Sequence, residues 1–200
     1  MNGDKATLDF YENEAPVYTA SGSQGQSKHM EGFLKLLDAG ALILELGCGG
    51  GRDTAYMAER GFIVDATDGT AAMVTKARQR TGLSCRQMRF DELAAEAEYD
   101  AVWAHASLLH VPRSELGEVL ERIHRALKPG GWFFANFKAG SADGRDILGR
   151  YYNFPDKDWL DSTYRKAGSW ASLEIEEGAG GGYDGVQRIW LALTARKDFA

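Results

Sequence analysis

Hydrophobic residues in the first two thirds of the chain alternate between short uninterrupted runs and longer stretches with a helical repeat. The repeat is clear over residues 26–39, where Met30, Phe33, Leu34 and Leu37 recur at i, i+3, i+4 and i+7 before Gly40. The short runs read as strands: 41–46 (ALILEL), 62–67 (FIVDAT), 84–89, 99–106 (YDAVWAHA) and 132–137 (WFFANF). Strands that alternate with helices predict a mostly parallel sheet with right-handed crossovers and helices on both faces.

Three further helices are predicted between these strands. One begins near Asp53 and ends at Gly61, and one covers residues 70–80. The third is expected to be capped by Ser114 and to end at residues 128–130, Lys-Pro-Gly. Its apolar face would consist of Leu116, Val119, Leu120, Ile123 and Leu127.

The last third of the chain has a different pattern. Asp156 can cap a helix that runs to about Ala167. Residues 172–177 (SLEIEE) and 187–195 (QRIWLALTA) follow, separated only by a glycine-rich loop that is too short for a crossover helix. These two strands are therefore expected to pair antiparallel. The complete prediction is an α/β fold with a doubly wound, seven-stranded, mostly parallel sheet that ends in a C-terminal antiparallel hairpin.

Composition narrows the possible functions. Acidic residues outnumber basic ones by 29 to 23, the net charge is −6, and there is no dense run of Lys and Arg, so nucleic acid is not expected as a partner. No leader or membrane-spanning run is recognisable, which predicts a cytoplasmic protein without membrane association. Cys48 and Cys85 are too few for a disulfide framework or a paired-cysteine zinc site.

Glycines are concentrated in the turn that follows the first predicted strand, ILELGCGGGRD at 43–53. Glycine removes Cβ atoms and permits unusual backbone angles, so such a turn lets the backbone approach a ligand closely. The dinucleotide fingerprint G-x-G-x-x-G fails because its third glycine would have to be Arg52 or Thr54. A P-loop fails because no Gly-Lys-Ser/Thr follows. The spacing present is G-x-G-x-G, preceded by Glu45.

With these motifs the chain resembles the class I S-adenosylmethionine-dependent methyltransferases, a Rossmann-like family, and in particular its small-molecule type 11 and 12 branches. The similarity extends from about Ile43 to the C-terminus and includes ELGCGGG, ATDGTAAM, FDEL at 90–93, YDAVWAHASLLHVP and LKPGGWFFANF. A weaker resemblance links the chain to tellurite-resistance methyltransferases. The resemblance implies one methyltransferase domain over 1–200, with a lid segment and helix at 1–40, a cofactor-binding half at 41–138 and a substrate side at 139–200.

The resemblance also implies roles for residues. Asp68 would bind both ribose hydroxyls, with Asp65 as a competing candidate, and Asp91 would accept from the adenine amino group. Glu45 would meet the methionine ammonium. The expected cofactor contacts are Tyr18, Glu45, Gly47, Cys48, Gly49, Gly51, Asp68, Gly69, Thr70, Met73, Asp91, Glu92, Leu93, Ala104 and His105.

Candidates for chemistry and for acceptor binding follow the fourth and fifth strands. His105 and His110 are the candidate catalytic bases, although methyl transfer needs a base only when the nucleophile arrives protonated. Their five-residue spacing without H-E-x-x-H makes a metal site improbable. Arg145, Arg150 and Tyr151 in the insertion at 138–156, together with Tyr11 in a polar N-terminal segment expected to be irregular, are the candidate acceptor contacts. They suit an anionic or aromatic small molecule.

Two alternatives remain open at the level of sequence. An NAD-dependent reductase on a similar sheet is disfavoured by the glycine spacing and by the absence of a Tyr-x-x-x-Lys pair. A non-catalytic protein that binds S-adenosylmethionine is compatible with every motif, because methyl transfer demands little of the side chains. The primary prediction is an S-adenosylmethionine-dependent methyltransferase that acts on a small molecule. The sequence does not indicate an oligomeric state.

Overall fold

The strands of the chain build one large sheet and one small ribbon. The computed structural model describes residues 3–21 and 27–199. In chain order its strands are β1 (Leu42–Leu46), β2 (Ile63–Asp68), β3 (Cys85–Gln87), β4 (Tyr99–Ala104), β5 (Leu127–Lys138), β6 (Gly144–Arg145), β7 (Tyr151–Tyr152), β8 (Trp170–Gly181) and β9 (Gln187–Lys197). The seven-stranded sheet has the order β3-β2-β1-β4-β5-β9-β8, and β6 pairs with β7.

The strand directions confirm the predicted fold. Strands β1 to β5 pair parallel, β9 is antiparallel to β5, and β8 is antiparallel to β9. The order of the parallel strands reverses on either side of β1, where the chain moves outward first to β2 and later to β4. Loops after β1 and β4 therefore diverge and leave a crevice at the carboxyl ends of these strands.

Helices occupy the segments between the strands. They are α1 (Lys5–Ser21), α2 (Met30–Leu34), α3 (Arg52–Glu59), α4 (Ala71–Thr81), α5 (Arg113–Ala126) and α6 (Lys157–Ala167). The predicted cap of α6 is confirmed, since the side chain of Asp156 accepts a hydrogen bond from the backbone N–H of Trp159 at 2.8 Å. The predicted cap of α5 is wrong. Pro112 precedes the helix and its carbonyl accepts from the amides of both Glu115 and Leu116, so Ser114 already lies in the first turn.

The first helices also differ from the prediction. A helix was expected over 26–39, but the structure has only α2 there, and turns connect its end to Gly40. Residue 26 lies outside the described residues. The N-terminal segment, expected to be irregular, forms α1 from Lys5 to Ser21 with Pro16 inside it. Helix α1 packs on α4, and the carboxylate of Glu12 accepts a hydrogen bond from the amide of Ala72 in the first turn of α4. Tertiary contacts of this kind stabilise a helix of weak intrinsic propensity.

Side chains on both faces of the central strands are buried. On one face Trp103 stacks on Phe134 with ring centroids 4.3 Å apart and also contacts Phe33 of α2. On the other face, the larger cluster includes Val102 and Phe133 beneath α5 and α6. Covered faces on both sides explain why the central strands read as uninterrupted apolar runs.

Candidate active site

A cavity of about 690 Å³ opens at the carboxyl ends of the parallel strands. Its floor is formed by the residues that end β1, β2, β4 and β5. Its outer walls come from α1 and from the turn between β8 and β9, which includes Tyr183. The crevice predicted from strand order is thus enclosed by two elements that lie far apart in sequence.

The glycine-rich turn after β1 is shaped by two close approaches. Gly47 has φ +82°, and a Cβ placed there would lie 2.5 Å from Cβ of Ser107. Gly51 has φ +76°, and a Cβ there would lie 2.9 Å from Cα of Ala77 in α4. Gly47 lines the cavity, whereas Gly51 does not. The third glycine therefore permits contact between α3 and α4, and its predicted cofactor contact is not found in the cavity wall.

Asp68 connects the ends of β1 and β2. Its Oδ1 accepts hydrogen bonds from the amide and hydroxyl of Thr70 at 3.0 and 2.9 Å, and its Oδ2 accepts from the amide of Gly49 at 3.0 Å. A carboxylate has about four acceptor positions. Three are occupied, so Asp68 in this state can accept from one ribose hydroxyl rather than two. Burial raises the pKa of Asp68.

The competing acid, Asp65, lies outside the cavity wall. Its carboxylate is held by two hydrogen bonds from Arg86 at 3.0 and 2.8 Å and by one from the hydroxyl of Tyr99 at 2.6 Å. These partners tie β2 to β3 and β4. Of the two acids, the structure places Asp68 at the site.

Glu45 is the most deeply buried acid of the cavity, with 3% of its surface exposed. Thr54 donates its hydroxyl proton to the Glu45 carboxyl at 2.5 Å. Burial raises the pKa of Glu45 to about 8, and the nearby charge of Asp53 adds to the shift. A buried carboxyl of this kind favours a cation as neighbour, because a positive charge stabilises its ionised form.

The turn after β3 contributes one of its three predicted residues. Asp91 lines the cavity, whereas Glu92 and Leu93 do not. The Glu92 carboxylate accepts from the backbone amide of Arg89, and the side chain of Leu93 is buried in the core. Ala104 is likewise buried in the core at the end of β4. The other predicted cofactor residues all line the cavity: Tyr18, Glu45, Gly47, Cys48, Gly49, Asp68, Gly69, Thr70, Met73 and His105.

His105 directly follows β4 and lines the cavity. Its ring stacks on Trp103, and its Nδ1 is 3.6 Å from Oδ2 of Asp53. Burial lowers the pKa of His105 to about 4, so the ring is neutral at neutral pH. Asp53 also accepts a hydrogen bond from the indole of Trp103 at 3.1 Å. His105 is thus packed on Trp103 beside a carboxylate neighbour.

His110, Tyr11 and Arg150 form a chain of hydrogen bonds. His110 Nδ1 lies 2.6 Å from the carbonyl oxygen of Tyr151, an acceptor, so Nδ1 holds the proton. Nε2 then accepts from the hydroxyl of Tyr11 at 2.9 Å, and Tyr11 in turn accepts from Nη1 of Arg150 at 3.0 Å. Burial lowers the pKa of His110 to about 3. Both nitrogens of this candidate base are therefore engaged with protein atoms.

The predicted acceptor contacts separate into two groups. Arg150 and Tyr11 line the cavity. Arg145 does not, because its guanidinium lies on the surface and binds the carboxylate of Asp4 at 2.6 and 2.8 Å. Tyr151 also lies outside, with its hydroxyl between the amide of Arg113 and the carboxylate of Asp143. Tyr151 helps the site through its backbone carbonyl, which fixes His110.

Tyr183, Trp190 and Asn136 line the cavity without a role assigned from the sequence, whereas Lys138 and Tyr152 belong to the cluster at 138–156 that was predicted to bind the acceptor. Four side chains come together in the cavity: Lys138 from the end of β5, Tyr152 from β7, and Tyr183 and Trp190 from the β8–β9 hairpin. Asn136 of β5 accepts a hydrogen bond from the amide of Ala106. The glycine run at 178–185 was the available signal, since it predicts a tight approach between strand backbone and a neighbouring group. In the structure Lys138 Nζ lies under this turn, where a Cβ on Gly182 would be 2.8 Å from it.

Within residues 3–21 and 27–199, no group of three His, Cys, Asp or Glu side chains is arranged to hold a metal ion. Cys48 and Cys85 are both buried free thiols. None of the helices in these ranges has the length and apolar character needed to cross a membrane.

Comparison with known proteins agrees with this geometry. Residues 43–131 match a family profile described as a methyltransferase domain. A ubiquinone biosynthesis O-methyltransferase of Pseudomonas paraeruginosa is 34% identical over 103 residues, covering 48% of this chain and 44% of that protein. The chain spans about half the length of the curated relatives it matches.

Solved structures share the fold over most of the chain. A Burkholderia thailandensis 1,6-didemethyltoxoflavin-N1-methyltransferase, solved with 1,6-didemethyltoxoflavin and S-adenosylhomocysteine, is 26% identical with a TM-score of 0.71, covering 96% of this chain and 85% of that one. An S-adenosylmethionine-dependent methyltransferase of Methanosarcina mazei is 15% identical with a TM-score of 0.75, covering 88% and 100%.

Proposed function

Because the chain belongs to the class I S-adenosylmethionine-dependent methyltransferases, we propose that it transfers a methyl group from S-adenosylmethionine to a small-molecule acceptor. When bound, S-adenosylmethionine supplies a methyl group on a positively charged sulfur. The observation that most supports the proposal is the pair of acids, the buried Glu45 and the partly buried Asp68, at the ends of adjacent strands beside a glycine turn. The names of the similar proteins, which act on small molecules, agree with it.

The residues of the cavity fit this cofactor. Glu45 offers a buried carboxyl to an ammonium group, Asp68 keeps one acceptor position for a sugar hydroxyl, and Asp91 lies where an amino group can donate to it. The turn at Gly47 and Gly49 brings backbone to the cavity without side chains in the way, while the amide of Gly47 donates to the carbonyl of Thr67 and that of Gly49 to Asp68. We assign most cofactor contacts to residues 41–137, with Tyr18 of α1, and the acceptor contacts to Tyr11 of α1, Lys138 and residues 139–200.

Alignment of the acceptor and exclusion of water would be the main contributions of the chain to catalysis. Such effects supply as much as about 7 to 11 kcal/mol in favourable cases. Tyr18 of α1 and Tyr183 of the β8–β9 turn meet with ring centroids 4.7 Å apart, so they cover the cavity from two sides. Tyr11 is fixed by His110 and Arg150. A rigid, covered chamber would favour direct displacement over reaction with water.

Thermal unfolding tests the proposal. Purified protein should gain stability with S-adenosylmethionine and with S-adenosylhomocysteine, because a ligand that binds only the folded state raises the melting temperature. NAD should have no effect. Stabilisation by NAD alone would overturn the proposal in favour of a reductase. A screen of metabolites for release of S-adenosylhomocysteine would then separate an enzyme from a non-catalytic cofactor-binding protein.

A further inference from the structure

The wall of the cavity changes in charge across the sheet. On the side of β1, β2 and β3 it contains the carboxylates Glu45, Asp68 and Asp91. Two arginines on that side lie against acids, Arg52 against Asp53 at 3.1 Å and Arg89 against Asp91 at 3.4 Å. On the side of β5 and β9 the wall includes the cations Lys138 and Arg150, and Asp4, which also lines the cavity, is paired with Arg145 at 2.6 Å.

The counter-ions of these two cations lie behind the cavity wall. Asp146 accepts from Arg150 at 2.6 Å, and Asp184 accepts from Lys138 at 3.2 Å. Each of these carboxylates is 1% exposed, and neither lines the cavity. Asp184 is shared with a second cation, Arg188, at 3.6 Å. Behind this end of the cavity, the local cluster therefore holds three cations, Lys138, Arg150 and Arg188, against two acids.

Arg150 keeps hydrogen-bond donors for a ligand. Its Nε and Nη2 donate to Oδ2 of Asp146, and its Nη1 donates to Tyr11. A guanidinium has five N–H groups. Among the described residues, two of the five have no hydrogen-bond acceptor. Asp146 cannot rotate away to take them, because its Oδ1 already accepts from the amides of Leu148 and Arg150.

Aromatic rings enclose the same region. The guanidinium carbon of Arg150 lies 5.3 to 5.7 Å from the ring centres of Tyr11, Tyr152 and Tyr183, and Lys138 Nζ lies 4.1 Å from that of Tyr152. Trp190 also lines this end. The ring faces are thus already occupied by cations of the protein, so they are not a cage for a ligand ammonium. The rings and the two cations together line this end of the cavity.

We propose that the methyl acceptor is a planar aromatic or enolic anion, whose negative charge lies on the acceptor atom or is conjugated with it, bound between these rings beside Lys138 and Arg150. This inference rests on the proposed function and specifies its acceptor. The acceptor atom uses a lone pair to form the bond to the methyl carbon while the carbon–sulfur bond breaks, its electron pair passing to sulfur. The negative charge of the acceptor and the positive charge of sulfur cancel, and no proton is released in the site.

An anionic acceptor accounts for the state of His110. A protonated nucleophile would need a base, but both nitrogens of His110 are hydrogen-bonded within the protein and the ring resists protonation because it is buried. Tyr11 already donates its proton to His110. An acceptor that enters deprotonated needs neither group as a base, and cations near the acceptor favour its ionised form.

Titration of 4-nitrophenol provides the test. The full chain is saturated with S-adenosylhomocysteine, and the absorbance of 4-nitrophenolate is followed against pH and protein concentration. We expect the apparent pKa of 4-nitrophenol to fall by about one unit on binding. We also expect benzoate to displace the probe, with benzamide, cyclohexanecarboxylate and phosphoethanolamine each at least about tenfold weaker. Displacement by benzamide as strong as by benzoate would overturn the role of charge, and equal displacement by cyclohexanecarboxylate or phosphoethanolamine would overturn the planar class.

Matched variants assign the effect to this end of the cavity. Lys138→Met should weaken 4-nitrophenolate binding about tenfold and Lys138→Arg should retain it, whereas Arg165→Gln on α6 removes one charge elsewhere and should change nothing. If Lys138→Met does not fold, Tyr183→Leu, at a residue that is 36% exposed, removes one ring at this end of the cavity and should weaken the binding of both 4-nitrophenolate and benzoate. Unchanged probe affinity in the folded variants overturns the proposal. Stabilisation by S-adenosylhomocysteine without probe binding refutes this inference alone, whereas loss of both refutes the proposed function.

Discussion

Gly49 and Asp68 are joined by a hydrogen bond of 3.0 Å from the amide of the glycine turn to the carboxylate that ends β2. The bond fixes the loop after β1 against the neighbouring strand before any ligand binds. The same bond occupies one of the acceptor positions of the Asp68 carboxylate that would otherwise bind a ribose hydroxyl. If both ribose hydroxyls bind Asp68, the Gly49 amide or one of the Thr70 donors must release it.

Replacing Asp68 is expected to weaken cofactor binding. Asp68→Asn keeps the size of the side chain but loses an ionised acceptor, which corresponds to about 1.5 to 3 kcal/mol, or about 10- to 100-fold in affinity. Calorimetric titration with S-adenosylhomocysteine measures the change. Asp65→Asn is the matched control on the same strand, because it breaks contacts to Arg86 and Tyr99 outside the cavity. Equal losses in the two variants would remove Asp68 from the cofactor site.

Binding of S-adenosylmethionine is expected to release a proton from Glu45. The pKa of Glu45 is about 8 because the carboxyl is buried, so the group is mostly protonated at pH 7. An ammonium beside it favours ionisation, so up to about 0.9 proton should leave on binding at pH 7, and affinity should rise with pH between 6 and 8. Calorimetry in two buffers of different ionisation enthalpy measures the release. Glu45→Gln should abolish it, and a release that persists in this variant would assign the proton to another group.

The same carboxyl should make folding less stable as pH rises. Its folded pKa, about 8, lies above the ordinary value of 4.5, so between these values the folded state binds more protons than the unfolded state. The stability that Glu45 contributes is therefore complete below pH 4.5 and is lost progressively up to pH 8, at no more than about 1.4 kcal/mol per pH unit. Urea unfolding of Glu45→Gln beside the unmodified chain should show a difference in stability that grows across this window. A constant difference would contradict it.

Local signals explain which parts of the fold the sequence predicts. The strands and the terminal hairpin follow from apolar runs and from loop lengths that leave room, or no room, for a crossover helix. Helix α1 was missed because Pro16 and the polar residues at 9–14 favour an irregular segment. Its helical signal exists in the spacing of Leu8, Tyr11, Ala15 and Tyr18, whose side chains face the cavity or the core.

The acceptor side of the site was predicted less completely than the cofactor side. Cofactor residues follow strands β1 and β2 directly, so short-range motifs identify them. Lys138, Arg150 and Tyr183 come from three segments whose approach depends on tertiary pairing of β5, β9 and the β6–β7 ribbon. The neutral state of His110 also depends on burial beneath α1, a helix that was not predicted from the sequence.

Substitution of Gly47 is expected to destabilise the fold by more than its backbone angle explains. An alanine at φ +82° is strained by about 1 to 2 kcal/mol, and its Cβ would lie 2.5 Å from Cβ of Ser107. Ser107 cannot move away freely because its hydroxyl donates to the carbonyl of Leu46 at 2.6 Å. Gly61→Ala is the control, with φ +84° and open space around the new Cβ. Urea unfolding should show Gly47→Ala to be roughly 1 to 3 kcal/mol less stable than the control, and equal losses would mean that the turn adjusts.

His110 is expected to position Tyr11 without titrating during catalysis. Its pKa is about 3 because the ring is buried, so a profile of kcat/KM against pH should show no histidine step between pH 5.5 and 8. His110→Gln can still accept from Tyr11 and donate to the carbonyl of Tyr151, so it should keep most activity, whereas His110→Phe should raise KM by releasing Tyr11. A histidine step that disappears in His110→Gln would instead identify His110 as a base.

Folding provides an independent readout of the same residue. The folded pKa of about 3 lies below the ordinary value of 6.5, so between these values the unfolded state binds the additional proton. Stability contributed by the neutral ring is present above pH 6.5 and is lost as pH falls toward 3. His110→Gln has no such group, so its stability should decline less steeply than that of the unmodified chain from pH 6.5 to 4. Parallel declines in urea unfolding would show that His110 becomes protonated in the folded state.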